Sequence, residues 1–180
     1  MTILGMSVAA FTLLHVIISL IAIVAGIIVL FGMMASKPMS ALTAVFLITT
    51  VLTSVTGFFF HSAAIGPPHI FGVISLVVLV FSLLGLYLFE LRGPWRWIYV
   101  STSIFALYLN TVVLVVQSFQ KIPALNQFAP KGNEPAVAIT QGIVLVLFII
   151  GAVRALKRFH PSAGLVFAGS RGPHSTAKLG

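Results

Sequence analysis

Polar and apolar positions along this chain alternate on the scale of whole helices. Five long apolar runs, near Val8–Phe31, Ala41–Phe60, Ile70–Phe89, Trp97–Ser118 and Ala136–Val153, are separated by short polar connections and followed by a polar tail. Each run reaches the roughly 20 residues a membrane-spanning helix needs. A transmembrane barrel would instead show strands of about 10 residues alternating in polarity, and "IISLIAIVAGIIVLFG" does not alternate. The pattern therefore predicts an all-α bundle of five transmembrane helices. Within each run the polar and small residues recur at three- and four-residue steps, which places them on one helix face. His15, Ser19, Ala22 and Gly26 mark the first run; Thr43, Thr50, Ser54, Gly57 and His61 the second; His69, Gly72, Ser75 and Ser82 the third. Ser103, Ala106, Asn110 and Gln117 mark the fourth, and Ala138, Gln141, Gly142 and Ala152 fall on the fifth.

Composition agrees with a bilayer setting: 59% of the 180 residues are hydrophobic, 7% are charged, and the mean hydropathy is +1.18. Soluble domains carry roughly 25% charged residues. Met1–Gly5 contains no Lys or Arg, and the first apolar run exceeds the 7–15 residues of a signal-peptide core, so a retained helix is expected. The transmembrane region is expected over 1–153, with 154–180 as a basic tail. That tail, rich in Gly, Ser and Ala and without sustained periodicity, reads as disordered.

Charge placement gives an orientation, because Lys and Arg near helix ends accumulate on the cytoplasmic side. Lys37, Arg92, Arg96, Arg154, Lys157, Arg158, Arg171 and Lys178 lie at one end, against Lys121 and Lys131 at the other. The expectation is an outer N-terminus and a cytoplasmic C-terminus. The cluster "RALKRFH" also suits attraction to anionic headgroups, whereas nucleic acid is not expected as a partner, since no basic folded domain accompanies the charge.

Several chemistries are excluded by what the chain lacks. Without cysteine there is no thiol relay, thiolate metal site or disulfide. Aspartate is absent, and Glu90 and Glu134 are both outside the apolar centres, so neither a carboxylate proton pathway nor a hydrolase triad has an acid to use. Glu90 is expected to pair with Arg92 and Arg96. No glycine-rich nucleotide motif follows a strand, and proline confined to connections does not suit the broken helices of secondary transporters.

The residues left to carry chemistry are histidines and amides. In "TSVTGFFFHSAAIGPPHIFG" a Gly-Pro-Pro turn holds His61 and His69 at the outer membrane face. His15 lies about 10 Å down the first helix, Asn110 about 12 Å below the outer end of the fourth and Gln141 about 8 Å below the start of the fifth. This points to an outer-side polar pocket. An imidazole inside hydrocarbon marks function when it faces the bundle, and neutral imidazole ligates heme iron, zinc and copper. His15 with His61 or His69 could thus hold a b-type heme or a transition metal, with Asn110 and Gln141 as supporting hydrogen-bond partners. The same residues also suit plain packing: His61 and His69 as interfacial residues, His15 fixing helix register through Asn110 or Gln141.

"FQKIPALNQFAPKGNEP" spaces Phe119, Ile122, Leu125 and Phe128 as a short surface helix that could lie over the pocket as a lid, closed by the turn at Pro130–Asn133. Trp95, Trp97 and Tyr99 read as an interfacial aromatic belt. In "RGPWRWIYVSTSIFALYLNTVVLVVQSFQKIPAL", that belt followed by the amphipathic loop resembles small multi-pass proteins of bacterial inner membranes that have no assigned activity. The resemblance covers the last four helices; it implies location in a bacterial inner membrane and carries no catalytic residue. Three readings stand: a structural or accessory membrane protein contacting lipids, other inner-membrane proteins or its own copies; a heme- or metal-binding redox protein; and a small oligomeric channel lined by the Thr and Ser stripe of the second helix.

Overall fold

The computed structural model describes residues 2–60, 66–132 and 134–161. A two-residue hairpin, β1 (Thr2–Ile3) and β2 (Met6–Ser7), opens the chain, turning through Leu4 and Gly5 at φ of 50° and 79°. Glycine fits that left-handed position without a Cβ clash. Ser7 then caps α1 (Val8–Met34), its hydroxyl accepting from the Ala10 amide. The chain continues through α2 (Ser40–Gly57), α3 (Pro67–Leu83), α4 (Trp95–Lys121), a single turn α5 (Pro123–Asn126) and α6 (Pro135–Arg158).

Among the described residues five helices are long and apolar enough to cross a membrane: α1, α2, α3 with its extension to Leu88, α4 and α6. The chain is an all-α, multi-pass membrane protein whose outward surfaces would contact lipid. The helices run alternately up and down, so α1, α4 and α6 each bring one end to the basic side where Lys37, Arg92, Arg96, Arg154, Lys157 and Arg158 gather. α4 is central: it packs against α1, α2, α3 and α6, which form an arc around it. Its buried face, Tyr99, Val100, Ser103, Ile104, Ala106, Leu107 and Leu109, meets Ala25, Val29, Phe46, Leu47 and Leu79 from that arc.

Small residues set the closest approaches, as they do between helices in lipid. Gly26 lies where α1 meets both Phe46 and Leu107, and Gly85 lies against the backbone of Trp95 and the Cβ of Tyr99. At Gly85 the end of α3 widens into a π-helical turn, Leu84–Leu88. The chain then reverses through Glu90, Leu91 and Gly93, all at positive φ, with Phe89 stacked on Trp95 at 3.8 Å.

Several boundaries move outward from the sequence expectation. α6 continues to Arg158, five residues past Val153, because its terminal carbonyls are capped: Arg96 Nη1 donates to Leu156 O at 3.1 Å and to Phe159 O at 2.8 Å. Arg96 is thereby taken from Glu90, which pairs with Arg92 alone at 2.6 Å. Tyr99 leaves the expected aromatic belt for the core at 2% exposure, since it sits two positions past Trp97 on the α4 face that meets the arc; Trp97, at 57%, stays outside. The short helix in the last connection forms as α5, but Phe119, Ala129 and Val137 anchor it on α4 and α6, so it does not lie over α1 and α2. The tail from 162 to 180 lies outside the described residues.

Candidate functional site

His15 is the one imaginable ligand held deep in a span, and its surroundings are specific. It projects from the second turn of α1 onto the last turn of α2, where its Nδ1 lies 2.7 Å from Thr56 Oγ1. The Thr56 hydroxyl has a single proton and donates it to Leu52 O at 2.7 Å. With its proton so placed it accepts from His15 Nδ1–H, the assignment that leaves Nε2 unprotonated. The ring is held edge-on to Phe60 at 5.2 Å, and Gly57 leaves space beside Cε1. Ser19 donates back to the His15 carbonyl at 2.7 Å. An imidazole bonded through Nδ1, with Nε2 carrying the lone pair, is the arrangement a ligating histidine uses.

His69 is in the third position of α3, where its Nδ1 accepts from the Gly66 amide at 3.4 Å and its ring lies 6.0 Å from that of Phe58. Thr56 and Phe58 are two residues apart on α2, about 200° around a helix of 3.6 residues per turn. His15 and His69 thus meet different residues at the end of α2, Thr56 and Phe58. His61 lies outside the described residues. Among the described residues no group of three or more His, Cys, Asp or Glu side chains could hold a metal ion.

The two amides are distributed elsewhere. Gln141 joins α6 to α4, its Nε2 donating to Val112 O at 2.9 Å, while its Oε1 is buried without a partner. Asn110 lies two turns beyond Ser103 on the same face of α4, and its buried Nδ2 has no partner. Ser82 and Ser103 meet at 2.6 Å, so seven residues further along these antiparallel helices Asn110 comes into register with Ser75 on α3. Neither amide reaches His15 as its hydrogen-bond partner. His15, His69 and Gln141 each serve a different helix pair, α1–α2, α2–α3 and α4–α6. The contacts of His15 with Thr56, His69 with Phe58 and Gln141 with Val112 thus belong to different helix pairs, and equal depth in the membrane does not by itself place residues on the same side of a bundle.

A second polar set, three of whose members lie on the expected stripes and whose fourth, Tyr99, was expected at the interface, occupies the other half of the bundle. Tyr99 is hydrogen-bonded to Thr43 of α2 and Ser103 of α4, and Ser103 continues to Ser82 of α3. Thr43, Ser82, Tyr99 and Ser103 are all buried. A cavity of about 40 Å³ adjoins Tyr99 and Thr43, with Phe159 and Lys37 also in its lining. This is space for one to a few waters, far below the roughly 300–1,000 Å³ of ligand clefts. Ser54 donates to Ser75 at 3.1 Å, which extends the polar contacts between α2 and α3. Thr43, Thr50 and Ser54, expected to line a pore between copies, are at most 7% exposed and face the inside of one chain.

The chain matches no protein family, no curated protein and no solved structure. Fold and site together define its class: a multi-pass, five-helix membrane protein.

Proposed function

We propose that this is a structural or accessory protein of a bacterial inner membrane, with its N-terminus outside and its C-terminus in the cytoplasm. The observation that carries the reading is that each of the five spans is joined to a neighbouring span by at least one polar side-chain contact. His15–Thr56, Ser54–Ser75, Ser82–Ser103, Tyr99–Thr43 and Gln141–Val112 each tie two helices together. Hydrogen bonds of this kind fix which helix faces meet. The surface for a partner protein or a second copy is α6, of whose most apolar stretch 11% is buried, against 28–39% for the other four spans. Photo-reactive residues placed at Ile143 on α6 and at Val16 on α1 test this in intact membranes. A discrete protein adduct from position 143 and none from 16 is expected; lipid adducts alone from both would sink the accessory role.

A redox reading has one observation in its favour, the contact of His15 Nδ1 with Thr56 Oγ1, which as an Nδ1–H donor would leave Nε2 free to ligate. His15 would then be one of the residues that hold a heme or a transition metal, with His61 or His69 as the other expected from the sequence. The optical spectrum of detergent-purified protein, with heme added back and His15→Ala beside it, separates the two readings. A Soret band lost in the variant supports a heme site; a colourless protein after reconstitution leaves His15 as a helix-joining residue.

A further inference from the structure

The α1–α6 groove at the basic end of the bundle has the makings of a lipid site. Gly151 brings α6 within 3.3 Å of Leu30 on α1, and Ala155 is fully buried in the same seam. One turn further the helices leave a cleft of about 450 Å³ lined by Phe31 and Met34 from α1 and Arg154 and Arg158 from α6. That volume is within the range of ligand clefts, roughly 300–1,000 Å³. Its lining is almost wholly apolar, and it includes Arg154 and Arg158, four residues apart on one face of α6.

Neither guanidinium is hydrogen-bonded or ion-paired among the described residues. No internal carboxylate is available to them either. The chain has only two acidic side chains: Glu90 is taken by Arg92, and Glu134 begins α6, about 35 Å from Arg158 at 1.5 Å per residue. The two exposed charges are therefore open to a counter-ion from outside the chain. Depth names its kind. Arg154 is about 29 Å along α6 from Pro135 and Arg158 about 35 Å, so they bracket the edge of a hydrocarbon layer roughly 30 Å thick, where phosphates of the headgroups lie. Exposed Phe31, at 61%, supplies apolar surface for the adjoining acyl chain.

We infer that this groove binds the phosphate of an anionic phospholipid between Arg154 and Arg158, with the acyl chains against Phe31 and Met34. Guanidinium forks suit phosphate oxygens in two-point contact, and basic pockets between spans on the positive side of a bundle hold acidic headgroups. The site holds in either orientation of the chain and is independent of the accessory role.

Native mass spectrometry of the full-length protein in a neutral detergent tests it, titrating phosphatidylglycerol and phosphatidylcholine of the same acyl chains. The wild type is expected to retain phosphatidylglycerol at least tenfold more tightly than phosphatidylcholine. Arg154→Gln and Arg158→Gln should each remove most of that preference, and Lys157→Gln, which deletes an equal charge on a neighbouring exposed position outside the cleft, should leave it within about twofold. Equal weakening by Lys157→Gln would overturn the site in favour of diffuse surface attraction. Equal retention of both lipids by the wild type would overturn it outright, and displacement of the lipid by millimolar inorganic phosphate would reassign the groove to a soluble anion. Single variants with unchanged melting temperature in phosphatidylcholine keep loss of folding from imitating loss of binding.

Discussion

A methyl group added at Gly26 would come within 2.5 Å of Leu107 Cδ1 and 2.8 Å of the Phe46 ring, so neighbours on two helices would have to move at once. Gly26→Ala is expected to destabilise the bundle by about 1–3 kcal/mol, as overpacking does, in an unfolding titration from mixed micelles. Gly142, with nothing within 4 Å of the same added atom, is the control: Gly142→Ala should stay within about 0.5 kcal/mol of wild type. Thr56 is the more informative residue. Thr56→Val keeps the shape but leaves the His15 Nδ1–H without an acceptor, a loss of about 1–3 kcal/mol. Thr56→Ser, which keeps the hydroxyl, should recover most of it, and wild-type stability in the valine variant would refute the bond. Thr56 could not be singled out from spacing, because it lies off the stripe formed by Thr43, Thr50, Ser54 and Gly57. His15 was legible, since an ionisable side chain in an apolar run stands out whatever it touches.

At the scale of elements, Arg96 does for α6 what a capping residue does within a helix. Its guanidinium donates to two carbonyls at the C-terminal end, where the helix dipole is negative and the last turn has no amide partners. Arg96→Gln should therefore open that end locally: amide exchange at Leu156–Phe159 is expected to rise about tenfold while exchange in α1 and α2 stays unchanged. Uniform acceleration along all spans would mean a global role instead. The hydroxyl chain Thr43–Tyr99–Ser103–Ser82 acts between elements and should be modest in strength. A double-mutant cycle of Ser82→Ala and Ser103→Ala is expected to give a coupling near 0.6 kcal/mol, the usual size for a hydrogen bond between spans. The turn after α3 is where local chemistry and conformation disagree most, since Glu90 and Leu91 adopt φ of 50° and 58° without being glycine. Each such residue costs of order 1 kcal/mol, offset here by Leu91 packing on the core and Phe89 stacking on Trp95.

For the whole molecule, the proposed orientation has a direct check because the chain contains no cysteine. Phe128→Cys, at an exposed position in the connection before α6, and His160→Cys, exposed beyond its other end, mark opposite ends of the bundle. A membrane-impermeant maleimide should label position 128 in intact cells and position 160 only after permeabilisation. The reverse pattern would invert the assignment and show that the Lys and Arg distribution does not set topology here.

Hydrophobicity and charge are properties of each residue against its solvent, so the sequence alone determined the five spans, their polar stripes, the cysteine-free chemistry and the concentration of basic residues at one end. The surface helix expected from Phe119, Ile122, Leu125 and Phe128 shrank to the single turn α5, which holds only Leu125 of the four, because Phe119 continues α4. Partners were decided only in three dimensions. A helical period places residues on a common face of one helix but does not say which neighbour that face meets. Hence His15 found Thr56 in place of Asn110, Arg96 found the carbonyls of α6 in place of Glu90, and Tyr99 went to the core and not to the interface. The α1–α6 groove arises for the same reason: Arg154 and Arg158 were visible as charges, but only the close seam at Gly151 and Ala155 brings Phe31 and Met34 beside them.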